Sequence, residues 1–328
     1  AISTFSSLEK YNSSTSNGPM LDGNMPVAMY PAQLANPNLT WEKTTLANIG
    51  VDFAVLDNRI QLTAEAYASY TTDLLLWVKT THTTGYDKRL DNLGSTSNKG
   101  VEFSIDTRNI IRRNFQWMTT LTLSHNTQMV ENIGNEDYVP AMSSYGNNSY
   151  MMYGYKAGYP LNSLWGFKYA GPWHNQEEIA RNKYTKTYAS VLSQTPGNPK
   201  YVDQNHDGII SQDDLIYLGN SDPVLHGGLQ NTFHVGKWKM SLYLTYSLGG
   251  KIYNYAEMFC AGGHSTNQFR YMLDAWHPVR NPDSWYPKAG VDDALPPSSF
   301  MVHDASYLRL KTIQVSRTFE FRKIKGIR

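Results

Sequence analysis

The residues whose types and spacing best suit chemistry lie between Asp203 and Asp214, in the run Asp203-Gln204-Asn205-His206-Asp207-Gly208-Ile209-Ile210-Ser211-Gln212-Asp213-Asp214. Oxygen-bearing side chains stand first, third and fifth (Asp203, Asn205, Asp207), and a glycine for the sharp turn stands sixth. A backbone carbonyl (Ile209), a hydroxyl (Ser211) and an acid (Asp214) complete the ligand order of an EF-hand calcium loop. The spacing predicts a structural Ca²⁺ held by Asp203, Asn205, Asp207, Ile209, Ser211 and Asp214. Asp214 stands where a longer glutamate is usual, and no helix–loop–helix pattern frames the run. The same residues also read as a series of Asx turns satisfied by their own backbone.

No other constellation supports catalysis. The adjacent carboxylates Glu177-Glu178, Asp213-Asp214 and Asp292-Asp293 point apart as sequence neighbours do, whereas glycoside hydrolysis needs two carboxyls facing each other across a substrate. The nine histidines form no HExxH pair, and no serine sits in a GxSxG elbow. The single cysteine, Cys260, excludes an intrachain disulfide framework and any CxxC site. With 29 basic and 28 acidic residues the chain offers no polybasic field, so nucleic acid is not an expected partner. No catalytic residue, and no enzyme, is expected.

Aromatic residues are the better candidates for touching a substrate. They make up 13% of the chain, 23 of them tyrosine, and many fall in long segments rich in Asn, Gly and Pro. Tyr145, Tyr150, Tyr153, Tyr155, Trp173, Trp276, Trp285 and Tyr286 could stack on sugar rings or pack peptides, because an aromatic face offers rigid apolar area at small entropic cost. Packing of loop against loop is the alternative use.

These residues hang from a repeated element. Ile49, Val51 and Phe53 alternate with Asn48, Gly50 and Asp52. After the turn Asp57-Asn58-Arg59, a return strand carries Leu62, Ala64, Ala66, Ala68 and Tyr70 on one face. The grammar recurs at Val101 to Thr107 with Phe115 to Leu123, turning at Asn109 to Asn114. It recurs again at Leu229 to Val235 with Trp238 to Leu248, turning at Gly236-Lys237. Short turns close one end of each hairpin. Long connections (Gln128 to Ser163, Trp173 to His226, Gly249 to His303) join the other, which is the asymmetry of outer-membrane barrels.

No apolar run approaches the roughly 18 residues of a membrane helix, so any crossing is made by strands. Aromatics at strand ends (Trp41, Tyr70, Trp77, Trp117, Trp238) match an interfacial girdle. The alternation predicts Phe103, Ile105, Leu121, Leu123, Leu242 and Leu244 toward lipid, and Gln61, Glu65, Glu102, Asp106 and Lys239 toward a lumen. A soluble all-β carbohydrate-binding module built as a sandwich would alternate in the same way, with its apolar face packed on a second sheet.

Asn36-Pro37-Asn38-Leu39-Thr40-Trp41-Glu42-Lys43-Thr44 resembles the entry to the late barrel strands of SusC/RagA-type TonB-dependent transporters. The segments with Leu93-Gly94 and Asn98-Lys99-Gly100-Val101-Glu102, Gly197 to Gly219, and Ala305 to Lys311 are similar to that family in the same order. The resemblance implies an all-β chain, residues 1–328 being part of the C-terminal domain of a large antiparallel transmembrane β-barrel of about 22 strands with long extracellular loops. Roughly eight to ten strands are expected here, with the plug, the early strands and the last strands absent and the sheet therefore open at both edges. The implied function is nutrient import across the outer membrane, of a glycan or oligopeptide. The implied partners are a SusD-like lipoprotein lid, the TonB complex acting through the missing plug, and membrane lipid.

Overall fold

A computed structural model describes residues 7–14, 28–80, 82–86, 88–141, 144–145, 148–149, 153–182, 185–186, 193–261, 267–291 and 295–319. Its main element is a sheet of seven antiparallel strands: β1 (Lys43–Val55), β2 (Ile60–Lys79), β3 (Lys88–Arg112), β4 (Phe115–Ile133), β5 (Leu225–Val235), β6 (Trp238–Leu248) and β7 (Tyr307–Arg317). Each strand pairs with its neighbours in sequence, giving an uninterrupted meander. The edge strands β1 and β7 do not pair with each other, so the described sheet stays open, as expected. It has seven strands where eight to ten were expected, because the segments around Pro199–Tyr201 and Ile216–Asn220 pair within the loops instead.

The predicted hairpins form about short turns. Arg112 pairs with Phe115 and Val235 with Trp238, each across two loop residues. Gly236 takes φ 57° at the first position of its loop, a positive angle that such tight hairpins require and glycine adopts without strain. In the first turn Asp57 and Asn58 carry φ 53° and 62°; both are residue types that tolerate the left-handed region.

Register carries the period-two pattern across the whole sheet. Phe53, Leu62, Ile105, Leu121, Leu229, Leu244 and Leu310 pair in succession from β1 to β7, forming one apolar row on one face. Phe103 and Leu123 pair in an adjoining row, and Leu242 lies two residues along from Leu244 on the same face. None of these side chains is buried; Ile49 is 71% exposed, Phe53 57% and Ile313 60%. The second sheet that the alternative sandwich reading requires is therefore missing from this face among the described residues.

On the opposite face Gln61 pairs with Asp106, Glu65 with Glu102, and Lys239 shares the side of Tyr243 and Ser241. Toward the turns the apolar face ends in Trp117, stacked on Phe233 at 5.9 Å, beside Trp238. Further up β2 the same face carries Tyr70. The interval from the turn matches the roughly 9–11 residues of a tilted membrane strand.

β2, β3 and β4 continue well past that level, at 20, 25 and 19 residues. Along β3 the burial changes with height: Leu90, Asp91, Ser95 and Ser97 are buried, while Val101 and Phe103 are exposed. At Gly100 the ring of Tyr67 lies where a Cβ would stand, and Tyr67 donates to Asn126 across the intervening strand at 3.1 Å. Above this point the chain has a core. One cluster gathers Leu164, Tyr253, Met258, Ala261, Met272, Val291, Leu295 and Met301; the other gathers Phe167, Tyr169, Trp173, Ile179, Tyr201 and Ile210. All of these lie in the connections from β4 to β5 and from β6 to β7.

Candidate functional site

The loop cap is assembled from short pieces. Val139–Ala141, Tyr153–Tyr155, Ser163–Gly166 and Ile216–Asn220 form a small four-stranded sheet. The helix α1 (Gln176–Arg181) starts where the Asn175 side chain accepts from the Glu178 amide at 2.8 Å. Glu178 sits in the first turn, where a negative charge suits the helix dipole. It also accepts from the His174 amide at 2.8 Å and pairs with Lys200, whose ammonium lies 5.4 Å from the centre of the Trp173 ring. Partial burial pushes the Glu178 pKa up, but the Lys200 hydrogen bond and the His174 amide outweigh it and hold the carboxyl below the usual range. This latch fixes α1 to the strand Pro199–Tyr201.

The predicted cation loop is closed by its own backbone. Asp203 accepts from the amides of His206 (2.7 Å) and Gly208 (2.8 Å). Asn205 accepts from the Asp207 amide (3.1 Å), and Asp207 from the Ile209 amide (2.7 Å). His206 and Gly208 take φ 60° and 78°, making the sharp turn anticipated at the glycine. Asp214 is fully buried and accepts from the amides of Gln204 (2.7 Å) and Ser211 (2.8 Å), while the Ser211 hydroxyl caps the short 3₁₀ helix Gln212–Asp214.

Among the described residues no group of three or more His, Cys, Asp or Glu side chains is gathered as a metal site. Of the six residues expected to hold a cation (Asp203, Asn205, Asp207, Ile209, Ser211 and Asp214), the three carboxylates each accept from nearby amides.

The aromatic candidates divide sharply. Trp173 is 0% exposed, with Phe167, Tyr169 and Ile179 in the same cluster, and Trp276 is 8% exposed. Tyr153 and Tyr286 are half-buried against the other cluster, and half-buried Tyr155 lines a groove with Leu74, Val130 and Leu161. These five residues pack loops together. Trp285 is 57% exposed; Tyr169 meets its ring edge-on at 5.1 Å and donates through its hydroxyl to the Trp285 carbonyl at 2.7 Å. Burial pushes the Tyr169 phenol pKa up. Tyr145 belongs to the two-residue strand Ser144–Tyr145, and Tyr150 lies outside the described residues.

Sequence reasoning missed Trp165, which is 3% exposed and ringed by Tyr138, Tyr159 and Tyr217 at 5.6, 4.9 and 5.9 Å. The fully buried run Ser163–Gly166 was its only signal, and an isolated short apolar run does not separate strand from loop.

The polar face of the sheet carries charges of both signs, with Arg108 on the same strand and face as Asp106. Asp52, Glu65, Glu102 and Asp106 lie on β1 to β3, while Lys239 and Arg309 lie on β6 and β7. Between them β4 shows Thr120, Thr122 and Ser124 on that face. Such a polar wall, backed by an uncovered apolar face, is what a water-filled lumen in a lipid bilayer requires.

No family model matches the chain. It is 36% identical over 292 residues to TonB-dependent receptor P26 of Formosa agariphila, covering 86% of this chain and 28% of that receptor. It is 30% identical over 300 residues to TonB-dependent receptor SusC of Bacteroides thetaiotaomicron, covering 87% of this chain and 27% of SusC. The chain thus spans between a quarter and a third of the relatives it matches. Its fold follows that of the RagAB peptide transporter with a TM-score of 0.68 at 21% identity, over 94% of this chain and 32% of that one. Uncovered apolar rows, a charged inner wall and short turns opposite a packed loop cap agree with these likenesses: the chain is similar to one stretch of TonB-dependent receptors of the outer membrane, SusC among them, and folds like the matching part of the RagAB transporter.

Proposed function

We propose that the receptor containing this chain imports a nutrient across the outer membrane, a glycan or an oligopeptide too large for ordinary porins. The observation that carries this reading is the two-faced sheet. Its apolar rows cross all seven strands without a covering layer among the described residues, and its other face is polar from edge to edge. The packed loops join the strand ends opposite the short turns, the side from which a substrate would first be met.

Energy reaches the substrate through the TonB complex acting on a plug supplied elsewhere in the receptor, and a SusD-like lipoprotein closes over the loop cap. The names of the relatives support the TonB part, and likeness to SusC and to the RagAB transporter supports the lid. Deleting the receptor gene and following uptake of labelled oligosaccharides and labelled peptides tests the reading. Loss of one class of uptake, restored by the wild-type gene, is expected; unchanged uptake of both would overturn it. Co-purification of a surface lipoprotein with the tagged receptor tests the lid.

The Asp203 to Asp214 loop belongs to this reading as a Ca²⁺-type structural loop. A carboxylate offers about four acceptor positions. Asp203 and Asp207 each receive two hydrogen bonds, from loop amides and from the Asn205 side chain. Capacity remains for a cation that would draw these side chains together and hold the loop where substrate or lid docks.

A further inference from the structure

The loop carrying Trp276 and Trp285 also borders an open cleft of about 630 Å³, within the size range of small-ligand sites. Its frame is fixed by hydrogen bonds. The Trp276 amide donates to the Tyr286 carbonyl at 3.2 Å, and His277 and Asn281 exchange backbone bonds at 3.0 and 3.2 Å. The Asn281 side-chain amide donates to the Asp274 carbonyl at 2.8 Å, and the Ser284 hydroxyl donates to the same oxygen. The cavity therefore rests on a braced turn.

Its wall is rich in donors and poor in acceptors. Arg280 and Lys288 line it, and neither forms an ion pair with a described residue; Asp274 is the one carboxylate among the described lining residues. His277 accepts at Nδ1 from the amides of Val279 and Arg280, both at 3.2 Å, which puts the ring proton on Nε2 as a further donor. The Trp276 indole N–H is buried with no acceptor among the described residues. Two cations without an ion pair among the described residues, together with the His277 donor, therefore line one space, and planar guanidinium with ammonium is the pairing that binds carboxylate or sulfate oxygens.

We propose that this cavity is a subsite for an anionic group, a carboxylate or a sulfate ester, on an imported saccharide. The sugar is favoured over a peptide by the neighbouring Trp285. Its indole is exposed, adjoins Tyr286 on the same braced loop, and lies over Gly171, where a Cβ would stand in ordinary contact with the ring at 3.5 Å. A flat ring supported from behind and open in front, on the loop segment that leads to Lys288 in the cavity wall, presents a stacking platform and a charge clamp to one acidic sugar unit. The inference rests on the import reading above and names its substrate class.

The test uses the full receptor purified in detergent, with three probes: a sulfated carrageenan tetrasaccharide, tetragalacturonate and neutral maltotetraose. Binding is measured by calorimetry for the wild type, for Arg280→Ala with Lys288→Ala, and for Trp285→Ala. At least one anionic probe is expected to bind tenfold or more tightly than maltotetraose. The double variant is expected to lose tenfold or more for that probe, and raised salt should weaken it. Which of the two anionic probes binds separates sulfate from carboxylate. Variants that keep the wild type's thermal unfolding but bind every probe as the wild type does would overturn the subsite, as would equal binding of all three probes. Either result leaves the gene-deletion uptake test untouched, so failure here and failure of the import reading are told apart.

Discussion

In the sheet, Phe53, Ile49 and Ile313 stand more than half exposed on a face that no described element covers. Elsewhere along the chain, Leu164, Phe167, Trp173 and Met301 are at most 1% exposed. Both regions hold aliphatic and aromatic side chains, but they use them against different solvents. In the loop cap the apolar groups leave water for each other, as in a soluble domain. In the sheet, backbone pairing is completed strand to strand and the apolar groups are left for lipid. Burial therefore marks the core only where water is the solvent. The true interior of this sheet's face is the membrane.

The contrast between the two regions should break most forcefully in the cap. Phe167→Ala removes a ring packed on Tyr201 at 5.7 Å. The loss should cost about 3–5 kcal/mol of local stability. Limited proteolysis of the receptor is expected to cut between residues 164 and 220 far faster than in the wild type, while the heat-dependent gel mobility of the folded barrel is retained. Loss of both together would mean that cap and sheet fold as one unit.

A charge placed on either face of the sheet probes the other half of the contrast. Leu229→Arg sits in the middle of the apolar row and should cost about 2–4 kcal/mol if that row meets the bilayer centre. Gln230→Arg, one residue away and on the polar face, should cost little. Urea unfolding in lipid vesicles reads both, and equal effects would cancel the assignment of faces. One register slip would exchange the two residues, so this pair is a sensitive probe.

The hairpins were legible because period-two alternation survives wherever one face is apolar and the other polar, as it does from Phe53 through Leu229 to Leu244. Their full length was not. Above Tyr70, Leu74-Leu75-Leu76-Trp77 reads as a plain apolar run. A register shift between Thr71 and Leu75, with Asp73 at φ 58°, breaks the alternation there, as a bulge does. The cap was illegible for another reason. Phe167 shares its cluster with Tyr201 and Tyr169, and the Tyr169 ring meets Phe300 at 5.0 Å, a contact spanning more than a hundred residues that no local pattern announces. Hence Trp173 and Trp285 look alike in sequence, yet one is core and the other is surface. The EF-hand spacing foretold the turn at His206 and Gly208, and the Asx-turn reading of the same residues foretold the amides that bond Asp203 and Asp207.

A smaller effect is expected at the latch that holds α1. Its partners hold the Glu178 pKa below the ordinary value. The carboxylate therefore contributes stability that is fully present above the unfolded-state pKa and is lost as pH falls through the lowered folded value. Cleavage near α1 should accelerate at acid pH in the wild type. In Lys200→Met, which strands a partly buried carboxylate and should cost about 1–3 kcal/mol locally, cleavage should already be fast at neutral pH. A wild-type cap indifferent to acid would remove the latch from the account.

The smallest effect concerns the Asp203 to Asp214 loop, where backbone and cation compete for the same oxygens. Asp214→Ala removes the acceptor for the Gln204 and Ser211 amides and half of a capping box. Loss of such a cap costs about 0.5–2 kcal/mol, and it should open the loop to protease with or without metal. Asp203→Asn keeps one acceptor oxygen for the His206 or Gly208 amide but removes the charge a cation would seek, so without metal it should stay closer to the wild type than Asp214→Ala does. With Ca²⁺ added, the wild type should become slower to cleave at 203–214 and lose that protection in chelator, whereas Asp203→Asn should gain little. If Ca²⁺ and chelator leave the wild type unchanged while Asp214→Ala is cleaved quickly, the amides alone close the loop. The calcium proposal then fails, with the placement of the chain in the outer membrane, which rests on the sheet and its relatives, unaffected.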